Sequence, residues 1–323
     1  RKELSILSNR IRYILKRIIY SFITILVLVT ITFLLMQLLP GEPFTAGKAL
    51  PDSVMQALEK KYGLDKPVLQ QLFIYIGNAL RGDFGISIPD GRAVTDVIAE
   101  AFPVSFSLGI RALLFAFIMG ILLGVVAAVK RGTVWDSAAM FFALVGVSVP
   151  SFIMGAVLQY FLGLKLYQAT GVQVFAVIGW SDFNSKILPA FALAFGSMAT
   201  VSRLMRTSML DVLSQDYIKT AKAKGLSQRQ IVWKHAVRNA VMPVVTVMGP
   251  LVAAVLTGAF VVENIFSIPG LGKYFVTSVQ TLNYTMIAGT TVFYGMFLIL
   301  ANLVVDLIYG FIDPRIKLTG GKE

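Results

Sequence analysis

Residues 216–239 read DYIKTAKAKGLSQRQIVWKHAVRN, a basic stretch divided by one glycine and set between two long apolar segments. Upstream and within it, Leu213, Tyr217 and Ala221 recur at four-residue spacing, which predicts one face of a helix over 211–224, with Lys219 and Lys222 elsewhere around it. Gly225 stands where helices commonly end in a left-handed residue. Ser227 and Gln230 have capping-box spacing, which starts a second helix carrying Ile231, Trp233 and His235 toward Pro243. The stretch therefore reads as two short helices joined at a glycine, and its surroundings decide what it meets.

Those surroundings are a bilayer. Of the 323 residues, 56% are hydrophobic before 27 Gly are added, and only 14% are charged, against ~25% charged in ordinary soluble domains. Crossing ~30 Å of hydrocarbon takes about 20 apolar residues. Ile18 to Leu39, Phe102 to Val129, Ser137 to Gly163, Ala240 to Val262 and Met286 to Val305 qualify. A sixth span begins near Ile187, with Pro189 at its first helical position and Arg203 and Arg206 snorkelling at its far end. The expected fold is all-α and polytopic, with six spans and both termini on one side. That side carries most of the 29 Lys and Arg and is expected to be cytoplasmic, so the net charge of +12 reports orientation and not nucleic-acid binding.

The organisation that follows is a cytoplasmic segment (1–17), a first span (18–39), a long extracytoplasmic loop (40–101), a core (102–311) containing the cytoplasmic loop 207–239, and a cytoplasmic tail (312–323). The first span is too long, and lacks the small-residue cleavage site, for a removable signal peptide. The chain opens on Arg1 and not on methionine, so a longer gene product is expected. Within 40–101, Pro, Gly and charges of both signs predict turns and short helices near 53–62 and 68–80.

The chemistry present excludes several classes. There is no cysteine, so disulfides and thiolate sites are out, and His235 is the single histidine. No GxSxG, HExxH or GxxxxGK[ST] pattern occurs, so neither a protease nor a self-contained ATPase is expected, and no metal site or bound cofactor is assigned. Proton-coupled transporters carry acids or histidines inside their spans. Here Asp306 lies near the end of the last span, where solvation or pairing with Arg315 explains it. Arg111 sits nine residues into the second span, ~13 Å at the helical rise, which leaves open snorkelling, pairing with a neighbouring subunit, or lining a polar translocation path. Pro150 and Pro250 are expected to bend their helices. A transporter without its own energy source but with a structured basic loop fits a partner docked at that loop. An amphipathic helix lying on anionic lipid is the alternative use of Lys219, Lys222 and Lys224.

At these residues the sequence resembles the membrane permease subunits of ABC importers, in particular the dipeptide/oligopeptide group. The loop resembles that group's ATPase-contacting EAA loop. LLPGEPF (38–44), YGLDKPVLQQ (62–71), GDFGIS (82–87), VVENIFSIPGLGKYF (261–275) and DLIYGFIDPRIKL (306–318) follow the group's order. Where the general importer loop has Glu-Ala-Ala, this chain has Lys219, Thr220 and Ala221, and Pro243 lies farther from Gly225 than in the general pattern.

The resemblance implies a type I importer permease with a homologous partner permease, two cytoplasmic ATPases that bind ATP and Mg, and an external solute-binding protein. It also implies that Asp216, Tyr217, Lys219, Thr220, Ala221, Ala223, Gly225 and Leu226 form the coupling segment seated in an ATPase groove. Nickel or another small solute is an alternative cargo within that group, and a gradient-driven secondary transporter is the alternative outside it.

Overall fold

Apolar runs bounded by Pro, Gly and polar caps fold here into helices, with a single two-residue strand pair among the described residues. The computed structural model describes residues 2–38, 60, 63, 65–87 and 91–312. The helix expected at 53–62 falls outside them except for residue 60. Two units are present, one formed by the two ends of the chain and the other by 104–269.

In the first unit, α1 (Lys2–Leu38) lies along α14 (Tyr284–Ile312), and α2 (Val68–Leu80) packs on α1, where the Phe33 and Tyr75 rings are 5.6 Å apart. A short antiparallel pair, β1 (Ile86–Ser87) and β2 (Arg92–Ala93), leads into α3 (Val94–Val129). Phe102 on α3 meets Phe293 and Phe297 edge to face at 4.9 and 4.8 Å. Buried Asn283, between α13 (Leu271–Gln280) and α14, donates to Ser87 Oγ at 2.8 Å. Asp306, part-exposed, pairs with Arg17 at 2.8 Å, and Arg315, expected as its partner, lies outside the described residues. Arg17, near the middle of α1, is brought beside Asp306 because α1 and α14 run together.

The second unit is built around α7 (Phe183–Leu213), whose buried face carries mostly small and flexible residues, among them Ala192, Ala194, Ser197, Met198, Ser202 and Met205. Against it lie α4 (Val134–Ser148), α5 (Ser151–Leu158) and α12 (Met248–Ile265). The segment expected as the third span is sharply bent: α4 and the 151–170 helix meet at 113°. Val149 is extended (φ −97°, ψ 120°), as a residue before proline prefers, and Pro150 opens α5, so this proline ends one helix and begins another. A π-helical turn at Gln159–Lys165 then joins α5 to α6 (Leu166–Thr170).

Pro250 interrupts its helix as expected, because it has no N–H to give to Thr246 O one turn earlier. The break falls there, at Val247, between α11 (Met242–Thr246) and α12, whose first turn holds Pro250. Pro189, expected to open its helix, lies inside α7, which starts six residues earlier at Phe183. Five helices are long and apolar enough to cross a membrane (Arg12–Leu38, Val94–Val129, Phe183–Leu213, Met248–Ile265 and Tyr284–Leu307), six when the bent pair is counted as one span.

Candidate functional site

The loop that follows α7 is held by a few apolar side chains. The chain breaks at Ser214 and Gln215, so the helix expected over 211–224 is instead the end of α7 plus a separate α8 (Asp216–Ala223). Ile218 is fully buried and Ala221 nearly so, in a cluster with Met205 and Met209 of α7 and Ile231 and Val232 beyond the turn. The inward face of α8 is therefore Ile218 and Ala221. Tyr217, assigned to the same face as Ala221, points outward, and its hydroxyl accepts from Asn239 Nδ2 at 3.1 Å. The break at Ser214 separates Leu213 from the expected stripe, and within α8 the packing of Ile218 beside Ala221 leaves Tyr217 at the edge of the inward face.

The turn is closed by backbone hydrogen bonds. Gly225 has φ +77°, its N–H donates to Lys222 O at 3.0 Å, and the Leu226 N–H donates to Ala221 O at 3.3 Å. These two bonds form a Schellman stop, with Leu226 packed on the cluster containing Ala221. Ser227 and Gln230 then make the expected capping box at α9 (Gln228–Gln230), followed by a π-helical turn (Ile231–Ala236) and α10 (Val237–Ala240). What remains outward is Asp216, Tyr217, Lys219, Thr220, Lys222, Ala223, Lys224 and Gly225, all exposed, with Lys219 Nζ 2.8 Å from Asp216 Oδ1. The loop is a fixed ledge with a basic, small-residue outer face.

Two further features position this ledge. Arg206, expected to snorkel, instead grips Asp136 at the start of α4 through Nε at 2.6 Å and Nη2 at 2.8 Å. Gly120 and Gly124 of α3 let that helix meet α7 so closely that a Cβ on Gly124 would lie 2.6 Å from both Met205 Cβ and Ser202 O. Their GxxxG spacing was the available sequence signal.

Arg111 lies at the other end of α7 from the ledge. It is exposed, its Nη1 donates to Ser107 O at 3.0 Å and to Ser107 Oγ, and its guanidinium lies 5.7 Å from the centre of the Trp180 ring. Lys186, in the first turns of α7, lies 5.4 Å from the same ring. Neither Trp180 nor Lys186 carried a sequence signal, because only the folded 171–182 connection brings them to Arg111.

The described residues form a helical bundle with a structured loop between two of its apolar helices. Solved structures agree at the level of fold. The crystal structure of an amino acid ABC transporter with histidines aligns over 68% of this chain and 95% of its own, with TM-score 0.51 at 14% identity. A methionine ABC transporter in inward-facing conformations aligns over 67% and 96%, with TM-score 0.51 at 16% identity.

Residues 120–318 match the family described as binding-protein-dependent transport system inner membrane component, and residues 10–109 match its N-terminal companion. The chain belongs to this family of multi-pass ABC importer permeases; it is a transport subunit and not an enzyme. It is 48% identical over 310 residues to a dipeptide transport system permease protein of Bacillus subtilis, covering 95% of this chain and 98% of that one. An oligopeptide transport system permease protein of Haemophilus influenzae is 39% identical over 311 residues, covering 95% and 99%.

Proposed function

We propose that this chain forms half of the membrane pathway of an ATP-driven peptide importer, paired with a second, homologous permease, fed by an external receptor and driven by two cytoplasmic ATPases that hold ATP and Mg. Peptide as cargo is supported by the full-length likeness to dipeptide and oligopeptide permeases. Cytoplasmic termini are supported by the concentration of Lys and Arg on their side of the spans. The observation that carries the coupling role is the ledge: α8 is anchored through Ile218 and Ala221, leaving Asp216, Tyr217, Lys219, Thr220 and Ala223 free to enter a cleft. An element tied to the end of α7 and exposed on its other face transmits a partner's movement into the bundle as a rigid push, biasing a two-state equilibrium between inward-open and outward-open forms. Purification of the tagged chain from its native membrane tests the reading. ATPases and a second permease are expected to accompany it, with receptor-dependent peptide uptake by the reconstituted complex and no ATP hydrolysis by the separated chain. ATP hydrolysis by the chain alone, or uptake of nickel but not of peptide, contradicts it.

A further inference from the structure

Trp180 is held more firmly than a loop residue needs to be. The Gly179 N–H donates to Phe266 O at 2.8 Å, and Gln159 in the π-helical turn spends both amide hydrogens on tethers, to Val177 O at 2.8 Å and Ile265 O at 3.0 Å. The indole packs on the buried cluster around Leu188 and Phe266. Against this fixed ring stand two cations, Arg111 and Lys186, and among the described residues neither has a carboxylate within ion-pair distance. The sequence-adjacent acid Asp182 accepts instead from Ser181 Oγ at 3.2 Å. Arg111 is further aimed by its two hydrogen bonds to Ser107, one turn earlier on α3. Two like charges converging on one ring repel each other, and cation–π attraction offsets only part of that. An arrangement fixed from three sides with a surplus of positive charge lacks an anion. Arg111 lies level with the first turns of α7, so the site stands toward the end of the bundle opposite the ledge.

Building on the peptide reading, we infer that Arg111, Lys186 and Trp180 form a receiving site for the C-terminal carboxylate of the incoming peptide. Every unmodified linear peptide carries that group whatever its sequence, so the site engages all substrates of the importer without reading their side chains. It repels the N-terminal ammonium, which orients the peptide carboxylate-first toward these residues. Arg111 offers a planar fork to a carboxylate, Lys186 a point charge, and the indole a flat wall beside them.

The test uses the assembled importer in proteoliposomes with two peptides of one sequence, one with a free C-terminus and one C-terminally amidated, chosen so that the receptor binds both. In an Arg111→Gln, Lys186→Gln double variant, uptake of the free acid is expected to fall about tenfold, the size of one charge-assisted hydrogen bond, with uptake of the amide unchanged. Arg111→Lys should keep much of the preference for the acid. Equal loss for both peptides, which a purely structural role would give, overturns the assignment, as does no loss for either. If the unsubstituted importer moves neither peptide while hydrolysing ATP, the peptide reading itself has failed, and the carboxylate is withdrawn with it.

Discussion

Arg206 and Asp136, seventy residues apart in sequence, meet as a bidentate pair, with Nε on Oδ1 at 2.6 Å and Nη2 on Oδ2 at 2.8 Å. The carboxylate also accepts from the Gly132 N–H at 3.0 Å, so it closes the turn before α4 while locking that helix to the last turns of α7. The Asp136 side chain is 8% exposed and that of Arg206 24%. At such burial an unmatched partner costs far more than the pair contributes.

Asp136→Asn is therefore expected to destabilise the chain by on the order of 3 kcal/mol, because a largely buried guanidinium loses its counter-charge. Arg206→Lys keeps the charge but not the fork, and should itself cost more than half of that amount. Thermal unfolding of the detergent-solubilised complex measures both. A double Asp136→Asn, Arg206→Gln variant should be less damaged than the sum of the single changes, and strict additivity would show that the pair is not coupled.

The seam between α3 and α7 gives a second expectation. A methyl group at Gly124 has no space, with Met205 Cβ and Ser202 O at 2.6 Å and Arg206 N at 3.1 Å from its position, and all three are backbone or backbone-proximal atoms that cannot swing away. Gly124→Ala should cost about 1–3 kcal/mol through overpacking. Gly77, inside α2, meets nothing within 4 Å at the same test position. There Gly77→Ala should be neutral or stabilise by up to about 1 kcal/mol through helix propensity, so the contrast between the two variants in one unfolding assay isolates the seam.

What was legible in the sequence was local. A helix near 68–80 was legible and is Val68–Leu80 in the structure, and Gly225 and the Ser227/Gln230 box mark their own turns within a few residues. The bend in the expected third span was half visible, since Pro150 announced it but its 113° angle depends on how α4 and α5 each pack against α7. The break at Ser214 has no glycine or proline beside it, unlike the one at Val247, which lies one turn before Pro250. Ile218 is the clearest case. It sits one position from Tyr217, and only the tertiary cluster decides which of them faces inward. The Trp180 tethers, one of which spans 106 residues, and the Asp136 pair, which spans 70, lie beyond any local pattern.

The last expectation separates anchoring from docking on the ledge. Ala221, 6% exposed among Met205, Met209 and Ile231, belongs to the chain's own core, so Ala221→Trp should lever α8 off the bundle and lower the yield of folded protein. Ala223, one turn beyond Lys219, is exposed and tolerates a large side chain as far as this chain is concerned. Ala223→Trp should express normally yet reduce the ATPase recovered with the tagged chain by about tenfold, a change of ~1.4 kcal/mol in affinity, because the bulk meets the partner's cleft. Gly225 grades the same effect through the backbone. At φ +77° with nothing within 4 Å of an added Cβ, Gly225→Ala costs only the left-handed penalty of ~1–2 kcal/mol. Gly225→Pro cannot adopt that φ and removes the N–H donated to Lys222 O, so it should abolish coupled uptake. If the ledge instead lies on lipid, Ala223→Trp should strengthen membrane association and leave ATPase recovery unchanged, and that result would return α8 to the bilayer surface.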